Sequence, residues 1–136
     1  MRLTIDANIL FASLIRDSTT RRLIFNPVVS LFAPQFILEE LLSHRPEMQE
    51  KSKLNDEELS DLVGRIVGQI SIIADKELKP FLPAAASLSA DEKDWLYIAC
   101  ALREDTWIWS HDAGFAPQKR VKMVTTKELA PIVGKI

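Results

Sequence analysis

Cysteine and histidine are scarce in this chain: one cysteine, Cys100, and two histidines occur in 136 residues. A single thiol excludes an intramolecular disulfide and a zinc site built from several cysteines. Chemistry that needs a cluster of imidazoles or thiols is short of parts. No apolar run approaches the roughly 20 residues that span a bilayer as a helix. An excess of positive charge is also missing, because the formal net charge is −2. Proteins that coat themselves with nucleic acid are usually basic. Any nucleic-acid contact here must be local or assisted by cations. Asp6 and Asn8 interrupt what would be a signal-peptide core, so the mature chain is expected to begin at Met1. A reducing cytoplasm is the expected setting, and no membrane is expected. Neither an internal repeat nor a low-complexity segment is visible.

What remains is ordinary globular composition, 47% apolar and 26% charged, with length for one domain and one core. Residues 2–5 read as a short buried strand ending on Asp6. Residues 8–16 carry a helical pattern, and Thr19 or Thr20 caps a second helix that Asn26-Pro27 ends. Residues 28–33 form the next strand. Pro34 then suits the first position of a helix over 35–44, closed by Pro46, with a further turn or two over 47–53. Asn55-Asp56-Glu57-Glu58 is a capping box. Behind it the apolar spacing from Leu59 to Ile73 predicts one long amphipathic helix. Gly64 and Gly68, four apart, predict close packing of that helix in the core.

Residues 77–87, with Pro80 and Pro83, read as a connecting loop. Ser89-Ala90-Asp91-Glu92 is a second capping box, opening a helix with Trp95, Ile98, Ala99 and Leu102 on one face. Residues 106–110 are a β-rich run ending on His111-Asp112, and Val121–Val124 a last short strand. Thr125 or Thr126 caps a terminal helix to about Leu129. Strands alternating with helices predict an α/β fold with a mostly parallel sheet of four to five short strands, covered on both faces. Ligands bind such sheets beyond the carboxyl ends of the strands. Asp6 and Asp112 both fall at that edge.

Further acids lie near helix starts. Glu39 and Glu40 follow Pro34; Asp91 and Asp94, three apart, share a helix face. Four distant segments thus have carboxylates to aim at one pocket. Like charges held within a few ångströms must take up protons or bind a cation. Carboxylate and water oxygens suit Mg²⁺ or Mn²⁺. Such an ion polarises a phosphate oxygen and lowers the pKa of water, and a second ion about 3.5–4 Å away stabilises a leaving oxygen. Each acid also has a plainer use. Asp6 and Asp91 suit helix capping and the helix dipole, Glu40 a solvated face, and Asp112 a turn before Gly114. Periodicity does not choose between Glu39 and Glu40. Cys100 reads as a small core residue, His44 as structural or solvated, His111 as a surface or substrate-contacting group, and Trp107 and Trp109 as packed on their strand. Lys119, Arg120 and Lys122 suit either phosphates near the pocket or a solvated loop. Arg16, Arg21 and Arg22 pose the same choice.

Across nearly its whole length the chain resembles the PIN domains, which include toxin nucleases of VapBC-type toxin–antitoxin pairs. The segments Ile5-Asp6-Ala7-Asn8, Ala33-Pro34 through Leu38-Glu39-Glu40-Leu41, Asp91 through Leu102, and Ile108-Trp109-Ser110-His111-Asp112-Ala113-Gly114-Phe115 are similar, in order, to the segments that carry the family's four acids. The resemblance implies a single three-layer α/β/α PIN-like domain over residues 1–136. It implies a metal-dependent ribonuclease, the toxin component of a type II toxin–antitoxin pair, with Asp6, Glu40, Asp94 and Asp112 as metal-binding and catalytic acids. Asp91 is a candidate fifth, and Asn8 and Ser110 are supporting groups that orient carboxylates or waters. The family pattern places the acid just before the leucine, which favours Glu40. It also implies an RNA substrate, a cognate antitoxin partner and a homodimer. The rival is a PIN-fold module that binds RNA or protein without cutting. A signalling receiver is disfavoured because Ala7 follows Asp6, and a haloacid-dehalogenase-type phosphatase because Asp6-Ala7-Asn8 lacks the second acid.

Overall fold

The computed structural model describes residues 1–111 and 118–135. Five parallel strands form one sheet in the order β3-β2-β1-β4-β5. They are β1 (Arg2–Ile5), β2 (Ser30–Pro34), β3 (Ile70–Ile73), β4 (Trp107–Trp109) and β5 (Met123–Val124). The helices are α1 (Ala7–Ile15), α2 (Thr19–Ile24), α3 (Phe36–Ser52), α4 (Asp56–Val67), α5 (Asp75–Leu78), α6 (Leu82–Leu88), α7 (Trp95–Glu104) and α8 (Thr126–Val133). Short 3-10 turns at Lys79–Phe81 and Glu92–Asp94 link α5 to α6 and lead into α7.

The central strand is buried along its length: Leu3, Thr4 and Ile5 are all 0% exposed. A parallel strand covered on both faces requires that. Chain order runs outward from β1 to β3 on one side, then returns across β1 to β4 and β5. With right-handed crossovers, that reversal puts the two sets of connecting helices on opposite faces. The contacts agree: α1 packs with α2, α3 and α4, while α7 packs on β1, β2 and β4 and against α5 and α6. The reversal also opens a crevice at the carboxyl ends of β1 and β4.

Several elements differ from the sequence reading. The long helix after Asn55 stops at Val67, and residues 70–73 are strand β3. Ile70, Ile72 and Ile73 satisfy both periods locally, but β-branched residues suit a strand, and β2 offers a ladder to pair with. Gly64 is exposed, and a Cβ there would meet nothing within 4 Å. The glycine pair is therefore not a packing face; Gly68 caps α4 instead. Residues 77–87 are largely helical, because Pro80 and Pro83 sit in first turns, where their missing N–H costs nothing. Pro34 ends β2 rather than opening α3. Pro46 lies inside α3, which runs on to Ser52. It deprives the Leu42 carbonyl of its helical donor. Leu42 is 73% exposed, so water replaces that bond, and Met48 beyond it is buried and anchors the last turns. Among the described residues, no helix is long and apolar enough to cross a membrane.

Candidate active site

The register of β1 against β4 builds the centre of the site. Ile5 pairs with Trp109, so the next residues, Asp6 and Ser110, leave the sheet side by side. The Ser110 hydroxyl donates to Asp6 Oδ2, and both residues are buried. The other Asp6 oxygen caps α1 by accepting from the Ile9 amide at 3.0 Å. Capping and site-lining are thus both true of Asp6, where the sequence set them as alternatives.

Asp6 opens onto a cleft of about 140 Å³, lined also by Asn8, Glu40, Asp91, Lys93, Asp94 and Tyr97. Glu40 reaches it from α3, whereas Glu39 is exposed on another face of that helix. Asp94 is 7% exposed and accepts from the Ser89 hydroxyl at 3.1 Å. It stands at the N-cap position of α7, not in the second turn of a helix begun at Ser89. The predicted box of Ser89 and Glu92 gives way to a 3-10 turn, in which Asp91 accepts from the Lys93 amide at 3.0 Å. Asp91 is exposed at the rim, so it caps and lines the cleft at once. Asn8, on the first turn of α1, is exposed in the cleft wall. Asp112 lies outside the described residues.

Two groups went unassigned by the sequence. Tyr97 is 3% exposed, and its hydroxyl donates to Glu40 Oε1. Burial pushes its pKa up first, and the bond to Glu40 and the charges of Glu40, Asp6 and Asp75 push it further in the same direction. The phenol therefore stays protonated and serves as a fixed donor. Its position three residues after Asp94, hence on one helix face with it, was the available signal. Lys93, beside Asp94 in sequence, brings an ammonium into a cleft otherwise lined with carboxylates.

The remaining assignments fall elsewhere. Lys119, Arg120 and Lys122 border a separate hollow with Thr106 and Trp107, at the amino edge of the sheet and opposite the acids. There the Lys122 ammonium sits 4.0 Å from the centre of the Trp107 ring. Trp109 is fully buried. His44 is structural: its ring stacks near Phe11, centroids 4.8 Å apart, and Nδ1 lies 2.9 Å from the Glu40 carbonyl. Cys100 is a buried core residue, with its thiol pushed up to about 12 mainly by burial.

Among the described residues, no three Asp, Glu, His or Cys side chains stand close enough to hold a metal ion between them. The donor set still fits a hard divalent cation in kind. It is all oxygen, two of its carboxylates are buried, and its cleft is open to water. Mg²⁺ keeps several waters, so the carboxylates need not all touch it directly.

A parallel α/β domain with acids gathered where β1 and β4 part defines a recognisable class. The model of the PIN domain family matches residues 4–130, and the chain belongs to that family. No curated protein matches it. Among solved structures, the fold is similar to that of VapBC2 from Rickettsia felis, crystallised bound to a DNA fragment from its promoter. The identity is 16% and the TM-score 0.61, over 92% of this chain and 98% of that one.

Proposed function

We propose that this protein is a Mg²⁺- or Mn²⁺-dependent ribonuclease, the toxin half of a type II toxin–antitoxin pair. The observation that carries the reading is the meeting of Asp6, Glu40 and Asp94, from three separate segments, in one cleft at the carboxyl edge of the sheet. Asp112, the fourth acid of the proposed set, lies two residues after Ser110 in sequence, and Ser110 touches Asp6. PIN-family membership supports nuclease chemistry, and the fold shared with a VapBC toxin–antitoxin protein supports an antitoxin partner. Homodimerisation belongs to the same proposal.

Asp6, Glu40, Asp94 and Asp112 would hold the ion, with Asp91 at the rim. The bound ion supplies Lewis acidity, activating water and polarising a phosphate oxygen. Ser110 and the Ile9 amide fix the rotamer of Asp6. Tyr97 fixes Glu40, and Ser89 fixes Asp94. Preorientation of this kind commonly accounts for 10–100-fold in metal affinity or activity. Asn8 and Lys93 line the same cleft; Asn8 would orient water, and Lys93 would meet a phosphate oxygen. By analogy with the PIN family, the water would displace the 3′ oxygen, leaving a 5′-phosphate and a 3′-hydroxyl.

The test is cleavage of single-stranded RNA by the purified chain with Mn²⁺, with EDTA, and in Asp6→Asn. Asparagine caps helices as well as aspartate does, so this variant keeps the start of α1 while losing the charge. Cutting is expected only for the unmodified chain with metal. Cutting that survives EDTA or the substitution refutes the proposal. RNA binding without cutting and without saturable Mn²⁺ uptake in calorimetry makes the protein a binding module instead.

A further inference from the structure

A second hollow, of about 710 Å³, shares no lining residue with the acidic cleft and includes His111, the neighbour of Ser110. Its walls come from the end of α1 and start of α2 (Arg16, Ser18–Thr20), from His111, and from the start of α8 (Thr125–Lys127). These segments leave the carboxyl edge of the sheet or pack beside it. His111 directly follows Ser110, so the hollow begins one residue from the contact with Asp6. Arg16 marks its outer end, since α1 carries the chain about 15 Å from Asp6 at 1.5 Å per residue.

This hollow is built rather than incidental. Thr126 Oγ1 accepts from Trp109 Nε1 at 3.0 Å and lies 3.2 Å from Thr20 Oγ1 and 2.8 Å from His111 Nε2. One hydroxyl thereby ties β4, α2 and α8 to the imidazole beside the cleft. The start of α8 is already closed by its own capping box of Thr125 and Glu128. Attraction for an anion must therefore come from side chains. Arg16 and Lys127 are both exposed, and neither forms an ion pair among the described residues. In a chain of net charge −2, two uncompensated cations on one hollow next to a carboxylate cleft are an informative exception to the overall balance.

We propose that this hollow seats the single-stranded RNA leading away from the cleaved phosphate. Arg16 and Lys127 hold consecutive backbone phosphates, and the Thr20–Thr126–His111 cluster forms the polar floor under the intervening nucleotide. The inference rests on the ribonuclease reading and extends it to the substrate's path. It makes Arg16 and Lys127 substrate-binding residues that take no part in the chemistry.

The test reads binding apart from cleavage. Fluorescence anisotropy of a labelled oligouridylate is measured with the full chain in EDTA, over salt from about 50 to 200 mM. Removing two phosphate contacts to a single strand lowers the log–log salt slope by about 1.4. The pair Arg16→Ala/Lys127→Ala is expected to show that change and to weaken binding roughly tenfold at low salt. The charge-keeping pair Arg16→Lys/Lys127→Arg is expected to restore the slope, which separates lost contacts from misfolding. The pair Lys119→Ala/Arg120→Ala, at the opposite edge, is the control and should bind as the unmodified chain does. An unchanged slope in the first pair, an equal loss in the control pair, or no binding by the unmodified chain overturns the proposal. Binding with these properties but no cutting with Mn²⁺ refutes the ribonuclease reading alone, so the two failures are distinguishable.

Discussion

Tyr97 offers the sharpest physical test, because it is the only tyrosine in the chain. Its phenolate can be followed at 295 nm without interference from another. In the unfolded chain the phenol ionises near pH 10. In the folded chain its pKa is raised, by burial first and then by Glu40. The folded state keeps a proton that the unfolded state has lost, so stability falls as pH rises. The contribution is fully present below pH 10. Above that it declines at up to about 1.4 kcal/mol per pH unit, reaching about 2 kcal/mol by pH 11.5.

Urea unfolding followed by circular dichroism, at pH 8 and pH 11.5, measures the loss. Cys100, with its thiol raised to about 12 mainly by burial, adds to the same decline. It does so equally in Tyr97→Phe, so the difference between the two proteins isolates the phenol. Tyr97→Phe is expected to lack about 2 kcal/mol of the alkaline decline and to keep its edge contact with Phe36. It is also expected to cut RNA 10–100-fold more slowly, having lost the donor that fixes Glu40. A 295 nm midpoint near pH 10 in protein that is still folded refutes the reasoning. So does an alkaline decline of equal size in the two proteins.

Ser110→Ala removes a buried donor to Asp6. It should cost about 1–3 kcal/mol in urea unfolding and lower metal-dependent cleavage by 10–100-fold; cleavage at the unmodified rate would refute the positioning role. Cys100 is fully buried, so a thiol reagent at pH 8 should label it only after urea is added, and prompt labelling of native protein would show that the core is misdescribed.

Much of the candidate site was legible in the sequence, because Asp6 follows a strand end and Asp94 opens a helix, where local rules apply. Asp6 after Leu3-Thr4-Ile5, and Asp94 at the start of α7, are readable in that way. Glu40 needed more. Its neighbour Glu39 shares its local chemistry, and only the packing of α3 decides which of them faces the cleft. Tyr97 was hidden for a similar reason: an aromatic on an apolar helix face reads as core, and it is core, while its hydroxyl alone enters the cleft. Strand β3 was misread because the run Ile70-Ser71-Ile72-Ile73 behind an amphipathic helix continues the helical period. Its identity depends on β2, a partner far away in sequence. The distant placement of Lys119, Arg120 and Lys122 follows from strand direction, which puts the residues before β5 at the opposite rim from those after β4.

Asp6 serves two masters with two oxygens: one starts a helix, the other meets Ser110 at the cleft. On the proposed ribonuclease reading, the residue cannot be discarded to silence cutting without also loosening the scaffold around it. A relative that has given up cutting but kept its shape should therefore carry asparagine at this place, not alanine. Asparagine here, among chains otherwise alike, would mark lineages that retained the fold for binding alone.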